Sequence, residues 1–168
     1  MFTNRGYDAG RDNWSIEATE RLFPSIAKEA LGAKTIEYAW RSNIRRLDTD
    51  YGVDALLHTP NRRIAVAIRL RGRKFIARSD ITIRHESLQT MGRILESQKS
   101  IARYMFYGWT DTDRPAAPAE ITLWQFVDLQ RLLDLFLAGR IKYAGPIPNH
   151  DPSSTFIAFD TSVLQDNG

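Results

Sequence analysis

The sequence contains no cysteine, which excludes disulfides, thiolate zinc sites and cysteine nucleophiles together. Histidine is scarce, and His58, His85 and His150 have no spacing that would make a metal cage; a surface or hairpin role suffices for each. No apolar run approaches the roughly 18 residues of a membrane span. The opening stretch MFTNRGYDAGRDNWS lacks the apolar segment of a secretory signal, so a cytoplasmic location is expected. Internal repeats and low-complexity tracts are missing. So are a zinc finger, a helix-turn-helix signature and a glycine-rich phosphate loop.

What is present is a chain of 168 residues, 43% hydrophobic, which favours one domain (1–168) with a genuine core. The expected core spans about 13–140, followed by a C-terminal extension of about 141–168. Net charge is only +3, yet it is unevenly spread. Between Arg41 and Arg84 stand eleven Lys or Arg against four Asp, while the rest holds twelve basic and sixteen acidic residues. A segment of that kind attracts a polyanion such as nucleic acid, or forms a solvated face.

NWSIEATERLFPSIAKEALG predicts a helix from about Asn13 to Leu31, with Leu22, Phe23, Ile26, Ala27 and Ala30 as its apolar stripe and Gly32 as its stop. Pro24 is expected to kink or split it. KTIEYAW alternates with the period of a strand. Strands follow at about Val53–His58, Arg63–Arg71, Ile81–Arg84 and Tyr104–Tyr107, with a helical run between the last two. EITLWQFVD is a further strand, and Asp128 then caps the amphipathic helix LQRLLDLFLAG. GPIPNHDPSST reads as a polar connection to a last strand, FIAFD. This order predicts an α/β domain with a mixed central β-sheet flanked by α-helices.

The hairpin at 53–71 is the informative stretch. Pro60 and Asn61 suit the centre of a two-residue turn, so Thr59 faces Arg62 and Asp54 lies across from Ala67. Ile64, Val66, Ile68 and Leu70 then share one face of the second strand, and Ala65, Ala67, Arg69 and Arg71 the other. The second face is expected to be a shallow charged floor carrying one aspartate and two guanidinium groups. Such a floor is either a structural ion pair or a site for phosphate and a metal ion. The aromatics Trp40, Tyr104, Phe106, Tyr107, Trp109 and Trp124 suit a core, with base stacking as the other use of such rings.

At these residues the chain resembles the PD-(D/E)XK, or restriction-endonuclease-like, nuclease superfamily. In that family a helix leads into a mixed sheet, an acidic residue lies on one strand, and the next strand carries Glu or Gln, any residue, then Lys. Asp54 matches the motif aspartate, and Ala67-Ile68-Arg69 occupies the place of the acidic-x-Lys triplet. Glu17 or Glu20 matches the acid that some members add from the first helix. The resemblance covers roughly 13–137 and implies a restriction-endonuclease-like fold acting on DNA with Mg²⁺ or Mn²⁺.

The implied roles are Asp54, Arg69 and Glu17 as catalytic groups, and Asp54 with Glu86 as metal ligands. Arg45, Arg46, Arg62, Arg63, Arg71, Arg73 and Lys74 are the implied nucleic-acid contacts. Two carboxylates would hold the cation, and the cation would activate water. The sequence departs from the pattern in two places. Alanine stands where the second carboxylate belongs, leaving Glu17, Glu20, Glu37 or Glu86 to supply it. Arginine replaces lysine, keeping charge while being a very poor base. Three classes stay open: a metal-dependent nuclease, an inactive nuclease-like fold serving as a DNA-binding or assembly module, and an interaction protein for an acidic partner. Oligomeric state is left open.

Overall fold

The computed structural model describes residues 9–42, 52–77, 80–84, 102–148 and 155–160. Helix α1 (Ala9–Leu31) buries Trp14, Ala18, Phe23 and Ala27 along one stripe, as the helical period requires. It runs through Pro24 as one element rather than two. Gly32, at φ 68, takes the left-handed position that ends the helix, its N–H donating to Lys28 O at 3.0 Å.

The strands that follow are β1 (Thr35–Tyr38), β2 (Ala55–His58), β3 (Arg63–Arg71), β4 (Ile81–Arg84), β5 (Tyr104–Thr110) and β6 (Ile121–Asp128). A short 3₁₀ turn, Arg73–Phe75, follows β3. Helix α2 (Leu129–Leu137) and strands β7 (Tyr143–Pro148) and β8 (Thr155–Phe159) complete the described elements. The main sheet has the order β1-β2-β3-β5-β6. Its first three strands run antiparallel, β3 and β5 run parallel, and β6 returns antiparallel to β5. The fold is therefore α/β with a mixed five-stranded sheet.

Two sequence expectations fail here. β4 does not join the central sheet; it pairs with β8 in a second, three-stranded sheet of order β4-β8-β7. The stretch read as a polar connection contains a strand, β7, whose prolines hid it. Pro146 and Pro148 are tolerated because β7 is an edge strand that needs only one row of ladder bonds.

The centre of the sheet is covered on both faces. One face packs Ile64, Val66, Ile68, Leu70 and Phe106 against α1, and Phe23 and Phe106 meet with centroids 4.8 Å apart. The other packs Ala67, Met105, Tyr107 and Trp109 against α2 and the second sheet. Asp128 caps α2, its side chain accepting from Arg131 N at 3.1 Å. Ile141, Ile157 and Phe159 enter this second core, so the segment expected to be an extension contributes to packing.

Candidate nucleic-acid interface

The β2–β3 hairpin has the register that its turn dictates. Ala55 pairs with Val66, Leu57 with Ile64 and His58 with Arg63, and Thr59 N donates to Arg62 O at 2.9 Å. The turn is closed further by Thr59 Oγ1, which donates to Arg62 O at 2.8 Å and accepts from Arg62 N at 3.1 Å.

Asp54 stands one residue before β2 begins. Ile68 N donates to Asp54 Oδ2 at 2.6 Å, a short, charge-assisted bond. The carboxylate takes the place of a ladder carbonyl where β2 has not yet started. It thereby satisfies a backbone N–H on a residue only 8% exposed. Asp54 has further partners beyond this bond.

The face expected to be open is mostly closed. Ala67 is 3% exposed and belongs to the second core. Arg71 is half-buried; its guanidinium donates to Thr82 Oγ1 on β4 and lies over the rings of Phe75 and Tyr107, 5.1 and 5.6 Å from their centroids. Thr82 Oγ1 is also 3.2 Å from Tyr107 Oη. These contacts make Arg71 a strut between the two sheets. Only Arg69, opposite Tyr107 in the β3–β5 register, opens to solvent from this face of β3's centre. The physical reason is the second sheet, which covers a surface that the hairpin alone would leave bare.

The candidate acids are dispersed. Glu17 is exposed on α1, which packs on the opposite face of the sheet from Ala67. Glu20, on the same helix, accepts from Trp40 Nε1 at 2.9 Å and from Arg41 Nε and Nη2 at 2.7 and 2.9 Å. The hydrogen bond from Arg41 holds its carboxyl below the usual range. Burial, with the Glu20 charge nearby, pushes the Tyr38 phenol up. Glu37 pairs opposite Leu56 in the ladder, and its Oε2 lies 3.3 Å from His58 Nε2. Glu86, Arg45 and Arg46 lie outside the described residues. No three His, Asp or Glu side chains converge among the described residues.

The basic residues fall into two groups. Arg62 and Arg63 are exposed at the hairpin tip; Arg73 and Lys74 are exposed beyond the far end of β3. At about 3.3 Å per residue, the nine residues of β3 separate these groups by on the order of 30 Å. They do not converge on a floor. The ion pairs among the described residues join Arg41 to Glu20, His58 to Glu37 and Arg103 to Asp128. Arg62, Arg63, Arg69, Arg73 and Lys74 stand outside them.

Sequence reasoning missed the Asp54 bond to Ile68 N and the Thr82 latch on Arg71. An aspartate directly ahead of a strand was the available signal for the first. The second needed knowledge of which sheet β4 joins. No protein-family model matches this sequence, and no curated protein does. A solved structure described as D212, a nuclease from a fusselovirus, is 11% identical, with a TM-score of 0.42 over 96% of this chain and 88% of that one.

Proposed function

We propose that this chain binds nucleic acid, DNA first among the candidates, on a restriction-endonuclease-like scaffold whose cleavage centre is degenerate. The observation that carries the reading is the state of the Ala67-Ile68-Arg69 triplet. In the observed register Ala67, in the position of the second carboxylate, sits in the core, while Arg69 presents a permanent cation beside the strand end that Asp54 caps. A helix leading into a mixed sheet, with the acid ahead of one strand and the triplet on the next, supports the scaffold.

A divalent cation fits the described residues of this centre poorly. Among the described residues no three His, Asp or Glu side chains gather to hold one, and hard cations want several oxygens at once. Arg69 cannot deprotonate water, because it stays protonated. It can hold a phosphate, as can Arg62, Arg63, Arg73 and Lys74, and contacts of that kind position a nucleic acid without reading its sequence.

The test is a labelled 20-base-pair duplex (a length of about two helical turns) titrated at low and moderate salt, alongside plasmid incubated with Mg²⁺ or Mn²⁺. Binding that weakens steeply with salt, without nicking, is the expected result. Nicking that disappears in Asp54→Ala would restore the metal-dependent nuclease. Failure to bind at low salt would leave an interaction protein for another acidic partner.

A further inference from the structure

We propose that Asp113 is a positioning residue for nucleic-acid binding: from the β5–β6 loop it caps the turn Arg73–Phe75 and so holds Arg73 and Lys74 in one arrangement for phosphate. The inference rests on the nucleic-acid reading above. It starts from a carboxylate in an unfavourable place. An acid beside two cations repels the phosphate that those cations would bind, yet among the described residues Asp113 forms no ion pair with either.

The use of Asp113 lies in the backbone. The first N–H groups of a helical turn have no partners within it. Gly72 stands in the capping position and has no side chain to offer. The β5–β6 loop supplies the acceptors instead: Arg73 N donates to Thr112 O at 3.2 Å, and Lys74 N donates to Asp113 Oδ1 at 3.0 Å. Gly72 is buried, and a Cβ there would overlap Asp113 Oδ1 and lie 3.2 Å from Asp113 Cα. The glycine makes room for a cap that arrives from 39 residues away.

The loop that carries Asp113 is itself fastened. Ala116 N donates to Asp113 O at 3.1 Å, Trp14 Nε1 donates to Ala116 O at 2.8 Å, and Arg21 donates to Pro118 O. Asp111 Oδ1 accepts from Ala119 N and Glu120 N at 3.0 and 3.3 Å. Helix α1 thus fixes the loop, and the loop fixes the basic turn, whose Arg73 and Lys74 stay exposed. A turn already held in its binding arrangement loses less freedom on meeting a ligand.

The sign of the change in affinity tests the role. On the labelled duplex at low salt, Asp113→Ala should bind roughly 2- to 10-fold more weakly than the parent, the range that one lost hydrogen bond spans, although it removes a repulsive charge. Asp113→Asn keeps an acceptor for Lys74 N without the charge and should bind more tightly than the parent. Gly72→Ala leaves every charge in place and should weaken binding as Asp113→Ala does. In a chain that already carries Arg73→Gln and Lys74→Gln, Asp113→Ala should change affinity little. Hydrogen exchange at the Lys74 amide should quicken in Asp113→Ala and Gly72→Ala but not in Asp113→Asn, with core amides unchanged.

Tighter binding by both Asp113 variants would mean that the acid acts by charge alone. Parent-like affinity or exchange in Asp113→Ala, or equal weakening in the chain lacking both cations, would equally overturn the role. The two Asp113 variants decide the matter even where Gly72→Ala fails to fold. A parent that binds no duplex would overturn the nucleic-acid reading and this role together, whereas a binding parent with indifferent Asp113 variants would overturn this role alone.

Discussion

Asp54, the expected metal ligand, also accepts a backbone N–H beside the β2–β3 ladder. Its bond from Ile68 N predicts a distinction between two substitutions. Asp54→Ala leaves a poorly exposed N–H without its acceptor and should cost about 1–3 kcal/mol. Asp54→Asn retains a carbonyl oxygen and should recover most of that loss. Urea denaturation of the three proteins measures both, and equal losses would show that the charge, rather than the acceptor, is what Asp54 supplies. Glu20 makes a prediction of a different kind. Hydrogen bonds from Arg41 and Trp40 depress its carboxyl below the ordinary 4.5. A folded-state pKa below the unfolded one gives stability that is present above the unfolded value and lost as pH falls through the folded one. The melting temperature should therefore drop on acidification below about pH 4.5 with a component that Glu20→Gln lacks. Parallel melting curves of the two proteins across that range would remove the assignment.

Helix α2 offers the clearest case of an element legible from residues. Asp128 followed by Leu129, Leu132 and Leu133 specifies both where the helix starts and which side it buries, and the structure has that cap and that buried side. Asp128 also meets Arg103 Nη2 at 2.6 Å, but those side chains are 48% and 26% exposed, so solvent screens the pair heavily. The cap should dominate: Asp128→Ala is expected to cost about 1 kcal/mol, and Asp128→Ser, which caps without charge, to restore most of it. Thermal melts of the pair of variants check the ordering. The hairpin was equally legible, because a two-residue turn fixes every pairing beyond it. β7 was not, since prolines argue against a strand until its place at an edge is known. Nor was the burial of Ala67 and Arg71. Alternation assigns residues to a face, but what lies on that face depends on β4, β8 and α2 arriving from elsewhere in the chain. Local pattern contains no record of that.

At the scale of the whole molecule, the cations proposed to meet nucleic acid are divided rather than pooled. The groups Arg62 with Arg63 and Arg73 with Lys74 lie at opposite ends of β3, separated by about 30 Å. Counterion release makes the logarithm of affinity fall with the logarithm of salt by about 0.9 for each phosphate neutralised on duplex DNA. Replacing Arg62 and Arg63 with Gln should flatten that slope by about 2, and replacing Arg73 and Lys74 should do the same. Sites so far apart, without shared partners, should act additively, so the fourfold variant loses about 4. Duplex length supplies the internal control. At 3.4 Å per base pair, fewer than about nine pairs cannot reach both groups. On such a fragment each group binds separately, so either pair of substitutions alone should leave the slope almost unchanged and only the fourfold variant should lose it. Fluorescence anisotropy on short and long duplexes over a salt series measures all of this. Equal additivity on the short fragment would mean that both groups meet the same few phosphates, which the length of β3 does not allow.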